Sequence, residues 1–308
     1  MRRGQSGINC LLAVDKPVGM SSHDVVGRVR RALGERRVGH AGTLDPAASG
    51  VLVVGVGQGT RLMGMLTQDS KSYLAEIRFG AETDTDDAEG RVVREAALPA
   101  ACADVDFARE TVASLVGEHD QVPPAYSAIS IGGERAYKRA RAGEDVELPA
   151  RHITIEGAML ISVAEEGAVW TCAFTVSKGT YIRSIARDLG RSLGSAAHLC
   201  GLRRTSSGSV DASSCVSLDD LDARGADGVA ELALDPVRAL GLPVRNLSEK
   251  ERDDALCGRA ISCGAVRVAD GGRVTLVFGS SVVGVWERDG SRLRCVANFP
   301  AGVSGVRA

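Results

Sequence analysis

Three short stretches of the chain hold residue types that could act on a substrate. The first is Gly39-His40-Ala41-Gly42-Thr43-Leu44-Asp45-Pro46. It sets an aspartate among glycines and a proline, just ahead of the apolar run Gly50–Val56. Glycine and proline mark a shaped loop. An aspartate is ionised near neutral pH and can attack an electrophile without a helper base. Taken alone, an Asp-Pro in a turn more often bonds its own backbone. The second stretch is Ser177-Lys178-Gly179-Thr180-Tyr181-Ile182-Arg183-Ser184. Here a glycine precedes a helix start that carries an aromatic and an arginine. A helix N-terminus attracts phosphate, and Arg183 could instead hold a carboxylate bidentately. The third is Lys71-Ser72-Tyr73, where a tyrosine at a strand start could stack on a base or move a proton. By itself each stretch also reads as ordinary structure: a turn, a surface helix start and a core aromatic.

Other motifs fail on spacing. Gly55-Val56-Gly57-Gln58-Gly59-Thr60 is neither a phosphate-binding loop nor a dinucleotide fingerprint. The acidic run Asp84–Glu89 lacks the spacing of a calcium loop and reads as a solvated loop. The eight cysteines and five histidines are scattered, with no C-x-x-C or H-x-x-x-H. That pattern points to reduced thiols and offers no metal site.

The elements that must position these residues follow from periodicity and punctuation. A strand is expected over 9–15. A helix capped by Ser21 or Ser22 runs to Leu33, and a short buried strand covers 50–56. Helical turns are expected from Thr60 to Leu66 and near 106–115. Tyr73, Ala75, Ile77 and Phe79 share one face of a strand over 72–79. Residues 121–150 are rich in Pro, Gly and basic side chains, and read as a long loop with one short helix. Strands over 151–163 and 168–176 precede a helix capped by Thr180. Its inner face holds Tyr181, Ile182, Ile185, Leu189 and Leu193, and its outer face Arg183, Arg187 and Arg191. Another strand is expected near 197–202. After Gly241-Leu242-Pro243, which reads as a linker, come a short helix (248–257) and strands at 265–268, 273–278, 281–287 and 293–297.

The 308 residues carry a net charge of −2, which does not announce a nucleic-acid binder. The charges are segregated, however. Arginines and lysines gather at 28–37, 130–141 and 177–204, and acids at 82–89 and 219–227. Such segregation suggests a phosphate-facing side and a solvent-facing side. No apolar run is long enough for a leader or a membrane span, and a cytoplasmic protein is expected.

In combination these stretches resemble one family, the TruB-type tRNA pseudouridine synthases. Gly39–Leu52 looks like its catalytic signature, and Leu12–Pro17 with Gly19–Ser22 looks like its opening motif. Lys71–Tyr73, Thr83–Asp86, Pro124–Ala128, Ser177–Arg183 and Leu202–Arg204 follow in the family's order, so the resemblance covers about residues 9–215. It implies an α+β fold, a mixed and largely antiparallel sheet flanked by helices. The catalytic domain would span 1–240, with an RNA-binding insertion near 121–150, and a small β-rich PUA-like domain would span 241–308. It also implies isomerisation of the T-loop uridine at tRNA position 55, with no cofactor or metal, by a monomer that needs no protein partner. Carried over, Asp45 is the nucleophile. Tyr73 stacks on the flipped base and transfers a proton. Arg183 pairs with Asp45. Tyr181 and Leu202 line the base pocket, His40 wedges into the T loop, and Lys16 and Lys178 contact the pocket or phosphate. Two rivals use the same surfaces: a non-catalytic tRNA-folding chaperone and a guide-RNA-dependent pseudouridine synthase subunit. A glycosidase is more remote, since no paired carboxylates are evident.

Overall fold

The protein is described by a computed structural model, in which residues 6–127, 129–131, 133–144 and 146–307 are placed. Residues 1–5, Ala128 of the Pro124–Ala128 motif, and the side chains of Arg135 and Arg141 lie outside the described parts.

In chain order the first elements are β1 (Cys10–Lys16), α1 (Ser22–Leu33), β2 (Val38–Ala41), β3 (Ser49–Val56), α2 (Met63–Leu66) and β4 (Lys71–Phe79). Then come β5 (Ala81–Thr83), β6 (Val92–Glu95), α3 (Val105–Ala113), β7 (Gly117–Gln121), β8 (Ser130–Ile131), β9 (Glu134–Arg135) and α4 (Ala136–Arg141). Next are β10 (Arg151–Ala164), β11 (Val169–Val176), α5 (Ile182–Ser192), β12 (Ala197–Ser207), β13 (Val210–Asp211), α6 (Leu218–Leu232) and α7 (Pro236–Leu240). The last are β14 (Val244–Asn246), α8 (Glu249–Leu256), β15 (Ile261–Ser262), β16 (Arg273–Phe278), β17 (Ser281–Asp289) and β18 (Arg292–Ser304). The class is α+β. Pairing is largely antiparallel, with a parallel pair at β14–β16. Among the described residues, no helix is long and apolar enough to cross a membrane.

Two compact units divide the chain: residues 1–69 with 206–308, and residues 70–205. In the first, β1 runs antiparallel to β3 from Cys10 opposite Val56 to Lys16 opposite Gly50. Strand β2 pairs with β3 from Val38↔Val56 to Ala41↔Val53. Gly39, His40 and Ala41 are therefore strand, not loop as their glycines suggested, and the irregular segment shortens to 42–48. Strand β3 is apolar on both faces because both are covered. On one side Leu52 and Val54 pack with Val25, Val29 and Leu33 of α1 and Leu221 of α6. On the other, Val51 and Val53 share a core with Val277, Val285, Phe299 and Val303 of the C-terminal strands. Each large apolar side chain so buried contributes about 1.5–3 kcal/mol. Helix α1 starts on a capping box, in which Ser21 and Asp24 bond each other's backbone N–H, and stops at Gly34.

The tail after 240 is thus packed on the first unit rather than hung from a linker: Leu240 and Leu242 both sit against that shared core. Its sheet has the order β14-β16-β17-β18-β15. The expected strand over 265–268 does not form; Ile261–Ser262 supplies the edge strand instead. Helix α6 was not foreseen. Gly225, at φ 55 and ψ −153, breaks its periodicity, and its acids were read as solvated. Two of them, Asp219 and Asp222, bind Arg28 of α1.

In the second unit the strands run β12-β4-β11-β10-β7. Tyr73, Ala75 and Ile77 of β4 face Phe174, Cys172 and Trp170 of β11. The expected half-buried face is present, and Trp170 closes it with an edge contact to Phe79 at 4.8 Å and an indole N–H bond to the Cys102 carbonyl. None of the eight cysteines, all among the described residues, lies in a disulfide. Burial pushes the Cys10 and Cys172 thiols up to about 12, so they stay protonated.

Candidate active site

Asp45 lies in the turn between β2 and β3, and it is half-buried. Gly42 (φ 80) and Gly50 (φ 102) bracket the turn in conformations that side chains disfavour. Hydrogen bonds to its backbone hold its shape. The Ser22 hydroxyl donates to the Leu44 carbonyl at 3.0 Å and accepts from the Leu44 N–H at 2.8 Å. Gly19 N–H donates to the Pro46 carbonyl at 2.8 Å, and Ala48 N–H to the Asp45 carbonyl at 3.1 Å.

Lys16 lies under this turn, with none of its surface exposed. Its ammonium donates to the carbonyls of Pro17 (2.9 Å), Met20 (2.6 Å) and Pro46 (3.3 Å). The opening motif is therefore joined to the Asp45 turn through a buried cation. The resemblance implied a pocket or phosphate contact for Lys16; these three bonds of its ammonium go to backbone carbonyls. Replacing Lys16 by Met takes the ammonium from the part-buried carbonyls of Pro17 and Met20, while the Pro46 carbonyl keeps the Gly19 N–H; each lost partner costs about 1–3 kcal/mol. Stability should fall by about 2 kcal/mol, seen as a lower denaturant midpoint with turnover falling in parallel. An unchanged midpoint would remove this role.

In the second unit the arginines of α5 do not form the solvated basic face expected for 183–191. They are spaced four apart, and each meets an acid of the loop 82–89. Arg183 donates through Nη1 to Asp87 Oδ2 (3.2 Å) and the Thr85 carbonyl (2.9 Å), and through Nη2 to the Tyr126 carbonyl (3.0 Å). Arg187 reaches Asp86 at 2.8 Å, and Arg191 grips both oxygens of Glu82 at 3.0 and 2.8 Å. Glu82, Asp86 and Asp87 are all buried, so the reading of this run as a solvated loop is corrected. A carboxylate is buried only when paired. The pairs span 96–109 residues, which no local pattern reveals. Burial tends to raise the Glu82 carboxyl, but Arg191 and Arg94 outweigh it and hold it below the usual range. Burial dominates at Asp86 and pushes its carboxyl above that range despite Arg187.

Asp87 was not singled out from sequence; its only signal was its place in the acidic run. Its Oδ1 accepts from the Thr85 hydroxyl at 2.6 Å and the Glu89 N–H at 3.1 Å, which turns Oδ2 toward Arg183. Gln121 was missed as well. Its side-chain amide accepts from the Tyr181 N–H at 2.8 Å and donates to the Tyr181 carbonyl at 3.1 Å, fixing the start of α5. Tyr181 is the helix cap and its side chain caps nothing, so the expected cap at Thr180 is displaced by one residue.

Lys16, His40 and Asp45 belong to the first unit. Tyr73, Lys178, Tyr181, Arg183 and Leu202 belong to the second. Tyr73 is 9% exposed on the inner face of β4. Tyr181, Leu202 and His40 are half-buried, and Lys178 is exposed. A groove of about 410 Å³ opens over the second unit's sheet, among Ser72, Tyr73, Leu74, Met159, Ala173 and Thr175.

Known proteins match this arrangement. The N-terminal domain of the TruB family pseudouridylate synthases matches residues 30–182, and the tRNA pseudouridylate synthase B C-terminal domain matches residues 183–240. The tRNA pseudouridine synthase B of Arthrobacter sp. (strain FB24) is 48% identical over 259 residues, 83% of each chain. That of Mycobacterium tuberculosis (strain ATCC 25618 / H37Rv) is 42% identical over 289 residues, 93% of this chain and 94% of that one. Among solved structures, a Cbf5-Nop10-Gar1 complex gives a TM-score of 0.71 at 22% identity, over 96% of this chain and 85% of its counterpart. At that identity the likeness is one of fold. With both family domains matched in sequence order and the relatives so similar along most of their length, the chain belongs to the TruB family of pseudouridylate synthases.

Proposed function

We propose that this chain isomerises uridine to pseudouridine in tRNA, at position 55 of the T loop, with Asp45 as nucleophile. One observation carries the reading. The Asp45 turn is held through its backbone by Lys16, Gly19 and Ser22, inside a chain that matches the family along most of its length. The reaction breaks the N1–C1′ bond of the target, turns the base, forms C5–C1′, releases the C5 proton and takes up one proton at N1. Nothing is oxidised and no atom is added, so the stoichiometry asks for no cofactor. The target leaves the loop stack at a cost of a few kcal/mol. Stacking on Tyr73 offsets about 1–3 kcal/mol of that. Arg183 fixes the Asp45 carboxylate, Tyr181 and Leu202 line the base, and His40 fills the space the nucleotide leaves.

The burial of Arg183, Arg187 and Arg204 moves the phosphate contacts elsewhere. The exposed Arg31, Arg36, Arg37, Lys138 and Lys178 take that role, recognising the folded RNA through backbone and shape. The tRNA is the partner; the enzyme works as a monomer in the cytoplasm, with residues 1–240 as the catalytic part and 241–308 as a PUA-like module.

The test is tritium release from a T-arm hairpin labelled at uracil C5, in the presence of chelator and beside an Asp45→Ala control. Release by wild type alone supports the reading. Hairpin binding without release, repeated on full-length tRNA, moves it to an RNA chaperone. Tyr73→Phe separates stacking from hydroxyl chemistry. If the hydroxyl moves a proton, turnover should fall by about 10²–10⁴-fold while hairpin affinity holds. A wild-type rate would leave Tyr73 only its ring.

A further inference from the structure

Arg187 stands one helical turn beyond Arg183 and repeats its contacts one step along the same loop. Its Nη1 donates to Asp86 at 2.8 Å and its Nη2 to the Val122 carbonyl at 2.9 Å. Arg183 reaches Asp87 and the Tyr126 carbonyl. Each arginine thus fastens the same two segments to α5: the acidic turn and the stretch after β7. The turn needs fastening. Asp86 adopts φ 60, a left-handed conformation that costs of order 1 kcal/mol outside glycine. It is also bracketed by strand β12, with Leu199 N–H on the Asp86 carbonyl and Ala88 N–H on the Leu199 carbonyl, both at 3.0 Å. The left-handed residue lets two carboxylates adjacent in sequence face two arginines a full helical turn apart.

We propose that the Asp86–Arg187 pair is a positioning device for the reaction: it sets the register of the acidic turn so that Asp87, and not its neighbour, presents its carboxylate to Arg183. This rests on the reading that Arg183 acts at the reacting base. Two adjacent acids opposite three evenly spaced arginines can be matched in more than one way. A one-residue slip would put Asp86 on Arg183 and lose the Thr85 and Glu89 bonds that orient Asp87. Stability alone does not call for the pair, because a buried ion pair is often replaceable by apolar groups at no loss. What it adds is a unique alignment, and a misplacement of about 1 Å near a reacting group can cost about a hundredfold in rate.

The test compares D86N, R187M, R187K and the neutral double variant D86N/R187M with R183K, by single-turnover tritium release, hairpin affinity and thermal melting. The single variants D86N and R187M are expected to melt lower and to turn over about tenfold to a hundredfold more slowly at unchanged hairpin affinity. R187K, with one point charge for the contacts to Asp86, Asp188 and the Val122 carbonyl, should recover part of the rate. The double variant should regain the melting temperature but not the rate. Placed in the R183K background, it should cost no further rate, because its effect passes through Arg183. Recovery of rate together with melting in the double variant overturns the proposal, as does a wild-type rate in the variants that fold. If R183K alone turns over normally, the reading of Arg183 is what fails. If R183K is slow and D86N/R187M is normal, only the positioning role fails. Should both single variants unfold, R187K and the double variant decide.

Discussion

Asp45→Asn is expected to reduce turnover by roughly 10⁴-fold or more, the scale of losing a nucleophile, while hairpin affinity stays within about twofold. Asparagine has the same shape and lacks the negative charge that makes the carboxylate reactive. The Ser22 hydroxyl, the Gly19 N–H and the Lys16 ammonium support the turn through backbone atoms of residues 44 and 46. None of them needs the Asp45 carboxylate, so the turn should keep its form in the variant. RNA affinity arises mainly from phosphate contacts, and the exposed arginines that would make them lie elsewhere on the surface. A variant that binds normally and retains even a few per cent of the wild-type rate would sink the nucleophile assignment. Loss of binding together with rate would show instead that the substitution damaged the turn.

Local signals were legible in the sequence where the physics is local. Ser21 and Gly34 delimit α1 within a residue of expectation, because a cap acts on the backbone beside it. The alternation at Tyr73, Ala75, Ile77 and Phe79 survives as the inner face of β4, because side-chain direction in a strand is set by parity. The order of the motifs identified the family before any coordinates. What could not be read was partnership at a distance. Lys16, expected at the pocket or a phosphate, is fully buried against backbone carbonyls. The run from Glu82 to Asp87 looked solvated because its arginines lie some hundred residues away. The same blindness hid α6, whose acids are matched to Arg28 near the other end of the chain. It also made the tail look separable, although Phe299 and Val303 complete the core beneath the strand that follows Asp45. Charge segregation along a sequence is therefore ambiguous. Here the basic helix face and the acidic run are two sides of one buried seam, and that reassigns which arginines remain for RNA.

Arg183→Lys is expected to lower kcat/KM by about 10²–10³-fold, comparable with removing one preorganised donor from an active site, with little change in melting. The side chain is 8% exposed, and its known partners lie in three directions: the Thr85 carbonyl and Asp87 Oδ2 on Nη1, and the Tyr126 carbonyl on Nη2. A guanidinium meets them because its donors are spread over a rigid plane. A lysine places its three donors on one atom at the end of a flexible stem. It can keep the ion pair with Asp87, but it cannot also hold the loop and the Tyr126 segment at the same separation. Retaining the charge spares the protein the cost of an unpaired buried carboxylate, about 3–5 kcal/mol when one partner is removed. That is why Lys, and not Met, isolates geometry from stability. Arg183→Met should show the contrast directly: it should melt markedly lower and be inactive, since Asp87 then has no cation. Wild-type kinetics in the lysine variant would mean that Arg183 contributes only its charge, and the directional role assigned to its planar fork would have to be given up.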